Sequence, residues 1–348
     1  MKRIFEVARG AIRVLPFAAA SLMALSLGAG TALAQADTTA LEAAAKAEGK
    51  VVVYHSNPSE NMQPLADAFT AKYGIPVELF HVISGPLSVR FSNEAGSGNV
   101  VNDILYTTDA SLPVTHPEWF TKLTPALVPN IARLKAPNNL TDYATGALQG
   151  SFILIYNTDK VKPEDAPKTW QDLGDPKWKD QIILADPRGS ASYIKIMALL
   201  KDRYPGLLEK IAANNPHVVE SAGPGAQQLA AGTGEIEFPA LASHALTLMS
   251  KGAPLNYVVL QGPELTRNTW GSIPAKAPHP NAGQLFLNFW LSDEGTDAYC
   301  SSTAGNRSVL DKDGKLGCEK MAGDPEYLDD TPPPDDVKTE VAKELGLL

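Results

Sequence analysis

Cysteine is almost missing from this 348-residue chain: Cys300 and Cys318 are the only two, both near the C-terminus. Their spacing matches neither a Cys-x-x-Cys redox motif nor a metal knuckle. On an exported chain an isolated pair reads as a disulfide, worth about 3 kcal/mol in the chain-entropy model, with two unpaired thiols as the alternative. Long apolar runs are equally scarce. The run Leu15 to Leu27 is too short to stay in a bilayer of roughly 30 Å as a permanent anchor. Positive charge is also in deficit, with 30 Lys and Arg against 39 Asp and Glu and a formal net charge of −9. That argues against nucleic acid or anionic lipid as the main partner, since both need a cationic surface. Catalytic signatures are missing too. There is no Gly-x-Ser-x-Gly elbow, no His-Glu-x-x-His helix and no Gly-rich Walker loop, and the six histidines are scattered. The carboxylate pairs Asp329-Asp330 and Asp335-Asp336 flank a proline run, where solvated linker chemistry explains them. A hydrolase is therefore disfavoured, no catalytic residue is nominated, and neither a cofactor nor a metal is expected.

What is present begins with a leader. Lys2, Arg3, Arg9 and Arg13 precede the short apolar run, and Ala32-Leu33-Ala34 supplies a small-x-small cleavage site. This is the pattern of a secretory signal peptide. Cleavage is expected after Ala34 or after Ala36, and no cysteine follows to take a lipid. The four basic residues and Glu6 make the leader +3, so its removal takes the chain from −9 to −12. The remaining length is enough for two domains, and 44% apolar residues can fill their cores.

Beyond the leader, short apolar strands enter helices through polar turns. Val51 to Tyr54, Pro76 to His81 and Asp103 to Tyr106 read as strands, with helices over Thr39 to Glu48, Glu60 to Tyr73 and Ser84 through Phe91. The style repeats after Ser151: strands at Phe152 to Tyr156, Ile182 to Ala185 and Glu235 to Phe238, and helices at Ser190 to Leu200, Ala226 to Ala231 and Ala282 to Leu291. A last helix, Asp336 to Glu344, follows the proline run. This alternation indicates an α/β fold whose ligands gather beyond the strand C-termini.

Four runs carry a resemblance. Leu154-Ile155-Tyr156-Asn157-Thr158-Asp159, Pro167-Lys168-Thr169-Trp170-Gln171-Asp172-Leu173, Asp175-Pro176-Lys177-Trp178-Lys179 and Leu184-Ala185-Asp186-Pro187 occur in this order. Phe286-Leu287-Asn288-Phe289-Trp290-Leu291-Ser292-Asp293-Glu294-Gly295 follows later. Together they resemble bacterial extracellular solute-binding proteins, in the group of ferric-iron, organic-anion, phosphorylated-sugar and polyamine binders. The resemblance implies a type II-like periplasmic-binding-protein fold: two lobes, each a mostly parallel sheet flanked by helices, joined by paired hinge strands. It divides the chain into residues 1–36 as signal, 37–148 with 258–300 as the first lobe, and 149–257 with 301–348 as the second. It further implies a periplasmic monomer that delivers a small molecule to an inner-membrane ABC permease. A ligand-sensing partner of a sensor kinase or chemoreceptor would share the same pattern.

Ferric binders of the group place two tyrosines after a Gly-Glu-Ile-Asp strand. Here Gly234-Glu235-Ile236-Glu237 is present, but the tyrosine positions fall at His244 and Ala245. Iron held in that way is disfavoured, a ferric chelate or polyamine staying as the alternative to an anionic or zwitterionic solute. The expected ligand contacts are Ser56 and Asn57 after the first strand, Ser84 after the second, and Thr107 and Thr108 after the third. Arg188, Gly189 and Ser190 open a helix whose positive end attracts an anion, with Arg188 offering a bidentate grip. Ser221 and Gly223 form a second such turn, His244 follows from the alignment, and Trp270 is a candidate stacking surface.

Overall fold

The computed structural model describes residues 39–57, 59–136, 139–261, 265–301, 307–319, 326–328 and 333–348. The expected leader lies outside the described residues, as do Asp329 and Asp330. A helix over 39–48 (α1) is followed by β1 (Val51–His55), α2 (Ser59–Tyr73), β2 (Val77–His81), α3 (Ser84–Ser97), β3 (Ile104–Thr107) and α4 (Ser111–Thr115). Strand β1 lies between β2 and β3 and pairs with both in parallel, Val53 standing beside Leu79 and Ile104. Its inward side chains Val51 and Val53 are fully buried with Phe69, Ile104 and Phe286 in a first hydrophobic core.

A second core is built on β5 (Ile182–Ala185), β6 (His217–Val219) and β7 (Ile236–Leu241), with β5 parallel to both neighbours. Around it pack α5 (Ala191–Arg203), α6 (Leu207–Ala213), α7 (Ala222–Ala230), α8 (Ala242–Met249) and, from the far end of the chain, α11 (Asp335–Glu344). Ile183, Leu184, Ile196, Phe238 and Val341 are among its buried members. Strands buried on both faces read as continuous apolar runs, which is why Ile182 to Ala185 is plain in the sequence.

Two long strands run from one core to the other. The thirteen-residue β4 (Thr145–Asn157) pairs through its first half with β9 (Leu265–Ser272), antiparallel, and through its second half with β7 and β8 (Leu255–Val258). Strand β9 also pairs with β3, so the sheet order β2-β1-β3-β9-β4-β7-β5-β6 is continuous. The structure extends β4 seven residues ahead of the strand expected from Phe152. That first half, Thr-Gly-Ala-Leu-Gln-Gly-Ser, lacks an apolar signature because its glycines make room for partners: a β-carbon on Gly146 would stand 3.1 Å from the Trp270 ring.

After β9 the chain returns to the first core through α9 (Pro280–Trp290) and α10 (Asp293–Cys300). The buried Asp103 carboxylate accepts from Val52 N at 2.7 Å and from His279 N at 2.6 Å, tying β1 to the entrance of α9. Cys300 and Cys318 form the expected disulfide, Cα atoms 4.7 Å apart, within the first core. Between α9 and α10, Ser292 Oγ caps by accepting from Gly295 N at 3.1 Å. A β-carbon at Gly295 would overlap the Phe289 carbonyl and lie 2.8 Å from Trp290 Cα. Gly295→Ala should therefore cost about 1–3 kcal/mol of stability. Equilibrium urea unfolding checks this, and an unchanged midpoint would show that the turn has slack.

Candidate functional site

The polar turns that follow the strands of both cores face one another. After β1, Ser56 and Asn57 line a cavity of about 140 Å³, joined by Ser84 at the start of α3 and Thr108 after β3. The second core supplies Gly189 and Ser190 before α5, Ser221 and Gly223 at α7, and His244 in the first turn of α8. Nine of the twelve expected ligand residues thus share one cavity, because strand C-termini in α/β sheets open toward the same edge. Ser190 and Ser221 stand at helix N-cap positions, yet neither side chain caps its helix. Ser190 Oγ instead lies 3.0 Å from Ser192 Oγ, and Ser190 and Ser221 both line the cavity beside the positive ends of α5 and α7, a setting that favours negative charge.

Three expected residues are elsewhere. Thr107 is 2% exposed, and its Oγ1 accepts from Asp109 N at 3.1 Å, so it shapes the turn after β3 without lining the cavity. Arg188 points outward. Its Nε and Nη2 donate to the Asp186 carboxylate at 2.9 and 2.7 Å, and Nη1 donates to Leu347 O at 2.7 Å. That pairing holds the Asp186 carboxyl below its usual range and fastens the C-terminal segment. Trp270 is 2% exposed and packs with Ala110 and Ala144. It is a core aromatic on β9, turned away from the cavity.

The cationic group of the cavity is one that the strand pattern hides. Arg267, in the middle of β9, is only 9% exposed and lines the cavity beside His244 and Tyr193. Its charge is felt by its neighbours: burial first and Arg267 second pull the His244 pKa down to about 4. His244 is therefore neutral near pH 7. Its Nδ1 accepts from Leu241 N at 3.2 Å, which places the ring proton on Nε2 as a donor. Tyr193, pushed up to about 12 by burial, likewise keeps its proton. Ala245, at the other tyrosine position, is fully buried in the second core.

Beneath Ser56, His55 is completely buried, and its Nδ1 lies 2.8 Å from Asn57 O. Burial lowers its pKa to about 4, against 6.5 in an unfolded chain. The unfolded state then binds the proton more readily, so this contribution is complete above pH 6.5 and is lost as pH falls toward 4. Between pH 7 and 4.5 the loss should be on the order of 2–3 kcal/mol. Urea midpoints across that range, compared with His55→Gln, measure it, and equal slopes in the two proteins would assign the acid sensitivity to other groups.

The cavity is closed at its rim by the two cores touching. A β-carbon on Gly85, in the first turn of α3, would lie 2.9 Å from the Gly189 carbonyl oxygen. Only a glycine lets the two backbones approach so closely.

The model of the family described as bacterial extracellular solute-binding protein matches residues 50–301. The major ferric iron-binding protein of Neisseria meningitidis serogroup B is 29% identical over 164 residues, 47% of this chain and 49% of that protein. The chain thus spans about half the length of the curated relatives it matches first. Among solved structures, the substrate-binding protein of the ABC transporter from Agrobacterium tumefaciens is 17% identical, with a TM-score of 0.75, over 85% of this chain and 94% of that one. The periplasmic binding protein AfuA from Actinobacillus pleuropneumoniae, solved with fructose-6-phosphate, is 21% identical with a TM-score of 0.67, over 86% and 99%. At these identities the structural likeness speaks for the fold. Among the described residues no helix is long and apolar enough to cross a membrane.

Proposed function

The chain belongs to the bacterial extracellular solute-binding proteins, and from that premise we propose that it captures a small anionic or zwitterionic solute between its two cores. In this reading the protein is exported to the periplasm, acts without turnover as a monomer, and delivers its solute to an ABC permease in the inner membrane. The observation that carries the reading is the cavity: Arg267 supplies positive charge, with Asp186 and Glu220 also on its wall to meet the ammonium of a zwitterion, the N-terminal turns of α5, α7 and α8 converge on it, and hydroxyls of Ser56, Ser84, Thr108, Ser190 and Ser221 stand around it. Asn57, Gly189, Gly223 and His244 complete the proposed contacts. A ligand touching both cores favours the closed arrangement over the open one, which is how binding is signalled to a permease.

The lobes follow the cores. In this reading 37–148 with 258–300 form the first lobe and 149–257 with 301–348 the second; Cys318 packs in the first core, which favours a later boundary, and Val341 of α11 in the second. A thermal-shift screen of phosphonates, sugar phosphates, organic acids, amino acids, polyamines and ferric chelates tests the solute class. An anionic or zwitterionic compound at 100 times its dissociation constant should add about 2.7 kcal/mol. Stabilisation by polyamines or free cations alone would refute the reading.

A further inference from the structure

Resting on that reading, we propose that the solute bears a hydroxyl group beside its anionic group, and that a second small chamber next to Arg267 receives it. The chamber measures about 30 Å³ and shares Asn57, Leu241 and Arg267 with the main cavity. Asn61, on α2, forms part of its wall and is 2% exposed. Its Oδ1 has no hydrogen-bond partner among the described residues. A buried carbonyl left without a donor is costly, so such groups in folded proteins are met by water or by a ligand.

Size and charge narrow the donor. A space of this volume takes about two groups the size of a water, which suits a hydroxyl better than a whole further phosphate. Arg267 and Arg307 both line it, so an ammonium would meet positive charge on entering. The neighbouring groups are already tied to one another. Asn57 Nδ2 donates to Tyr299 OH at 3.1 Å, Arg307 Nη1 donates to Ser151 Oγ at 2.7 Å, and Tyr257 OH donates to Glu319 at 3.2 Å. Such a framed pocket selects for a neutral donor at a set distance from the anion held by Arg267. Hydroxy acids and the phosphate esters of polyols have that chemistry.

Matched pairs test this by calorimetric titration of the intact protein: lactate against propionate, 3-hydroxybutyrate against butyrate, glycerol 3-phosphate against propyl phosphate. The hydroxylated member of at least one pair should bind roughly tenfold tighter or more, because a site built around a hydroxyl rejects the analogue lacking it. Asn61→Leu should remove that preference while leaving the affinity for the deoxy member nearly unchanged. The wild-type comparison stands even where the variant folds poorly. Equal binding within every pair that binds would mean that the chamber holds only water, overturning this inference while the anion reading survives. If no member of any pair binds but another anion in the screen does, hydroxyl recognition of these two classes is refuted; if no anion binds at all, the anion reading fails and this inference with it.

Discussion

Replacing Arg267 by methionine is expected to weaken binding of an anionic solute by roughly 10–150-fold, the 1.5–3 kcal/mol of a hydrogen bond made to a charged group. Methionine keeps an unbranched apolar stem on β9, opposite Gly150 of β4, while removing the charge. The paired control is Arg188→Ala. Arg188 is closer in sequence to the helix turn that resembles an anion site, yet its guanidinium is held by Asp186 and Leu347 outside the cavity. Its removal should leave affinity within about twofold of wild type and loosen the C-terminal segment, since exposed ion pairs contribute about 0–1 kcal/mol. Titration of both variants with the best ligand of the screen decides between the two arginines. A reversed order, with Arg188 carrying the affinity, would place the anion at the rim and not in the cavity. Arg267→Met has a second expected consequence. With the positive charge gone, one of the two causes that depress His244 is removed, and its pKa should rise from about 4. Proton NMR of the histidine ring checks that shift without any ligand present.

The strand ends near the site are legible because they obey simple rules. Val51-Val52-Val53-Tyr54 and Ile182-Ile183-Leu184-Ala185 are apolar runs ending in polar turns, and in an α/β fold such ends converge, which is why Ser56, Thr108, Ser190 and Ser221 could be assembled from sequence alone. What failed to show is what depends on a partner strand. In β9 the run Leu-Thr-Arg-Asn-Thr-Trp-Gly-Ser is buried throughout but mostly polar, since it lies between β3 and β4 along the cleft. A period-2 or apolar template rejects it, which hides Arg267 and leaves Trp270 as the conspicuous residue of the segment. The one available signal was an arginine inside a stretch bounded by Thr and Trp, residues suited to strands. Arg188 is the opposite case: the turn before α5 is plain in the sequence, but the guanidinium is already taken by Asp186, two residues back. Gly295 completes the lesson. Its motif joins α9 to α10 in the first core and serves packing, so resemblance there reports the fold and not the ligand.

Gly85→Val should reduce ligand affinity by roughly 5–150-fold although residue 85 offers a ligand nothing to hold. Residue 85 stands in the first turn of α3 directly ahead of Pro86, where a β-branched side chain already strains the helical backbone, so part of the cost of valine falls on both arrangements. In the closed arrangement even a methyl group would stand 2.9 Å from a backbone oxygen of the other core, and that oxygen has no rotamer by which to withdraw. Overpacking of this kind costs about 1–3 kcal/mol, and this further cost falls on the closed state alone. Apparent affinity falls by the same factor as the population competent to bind, while the melting temperature of the unliganded protein falls only by the strain of a side chain ahead of Pro86. Gly85→Ala should lie between wild type and valine, giving a graded series that a lost side-chain contact would not produce. Small-angle scattering supplies the structural readout: with ligand present the valine variant should keep a larger radius of gyration than wild type. If the variant bound normally and compacted normally, the two cores would have to close without bringing Gly85 against Gly189, and the rim contact would be incidental to capture.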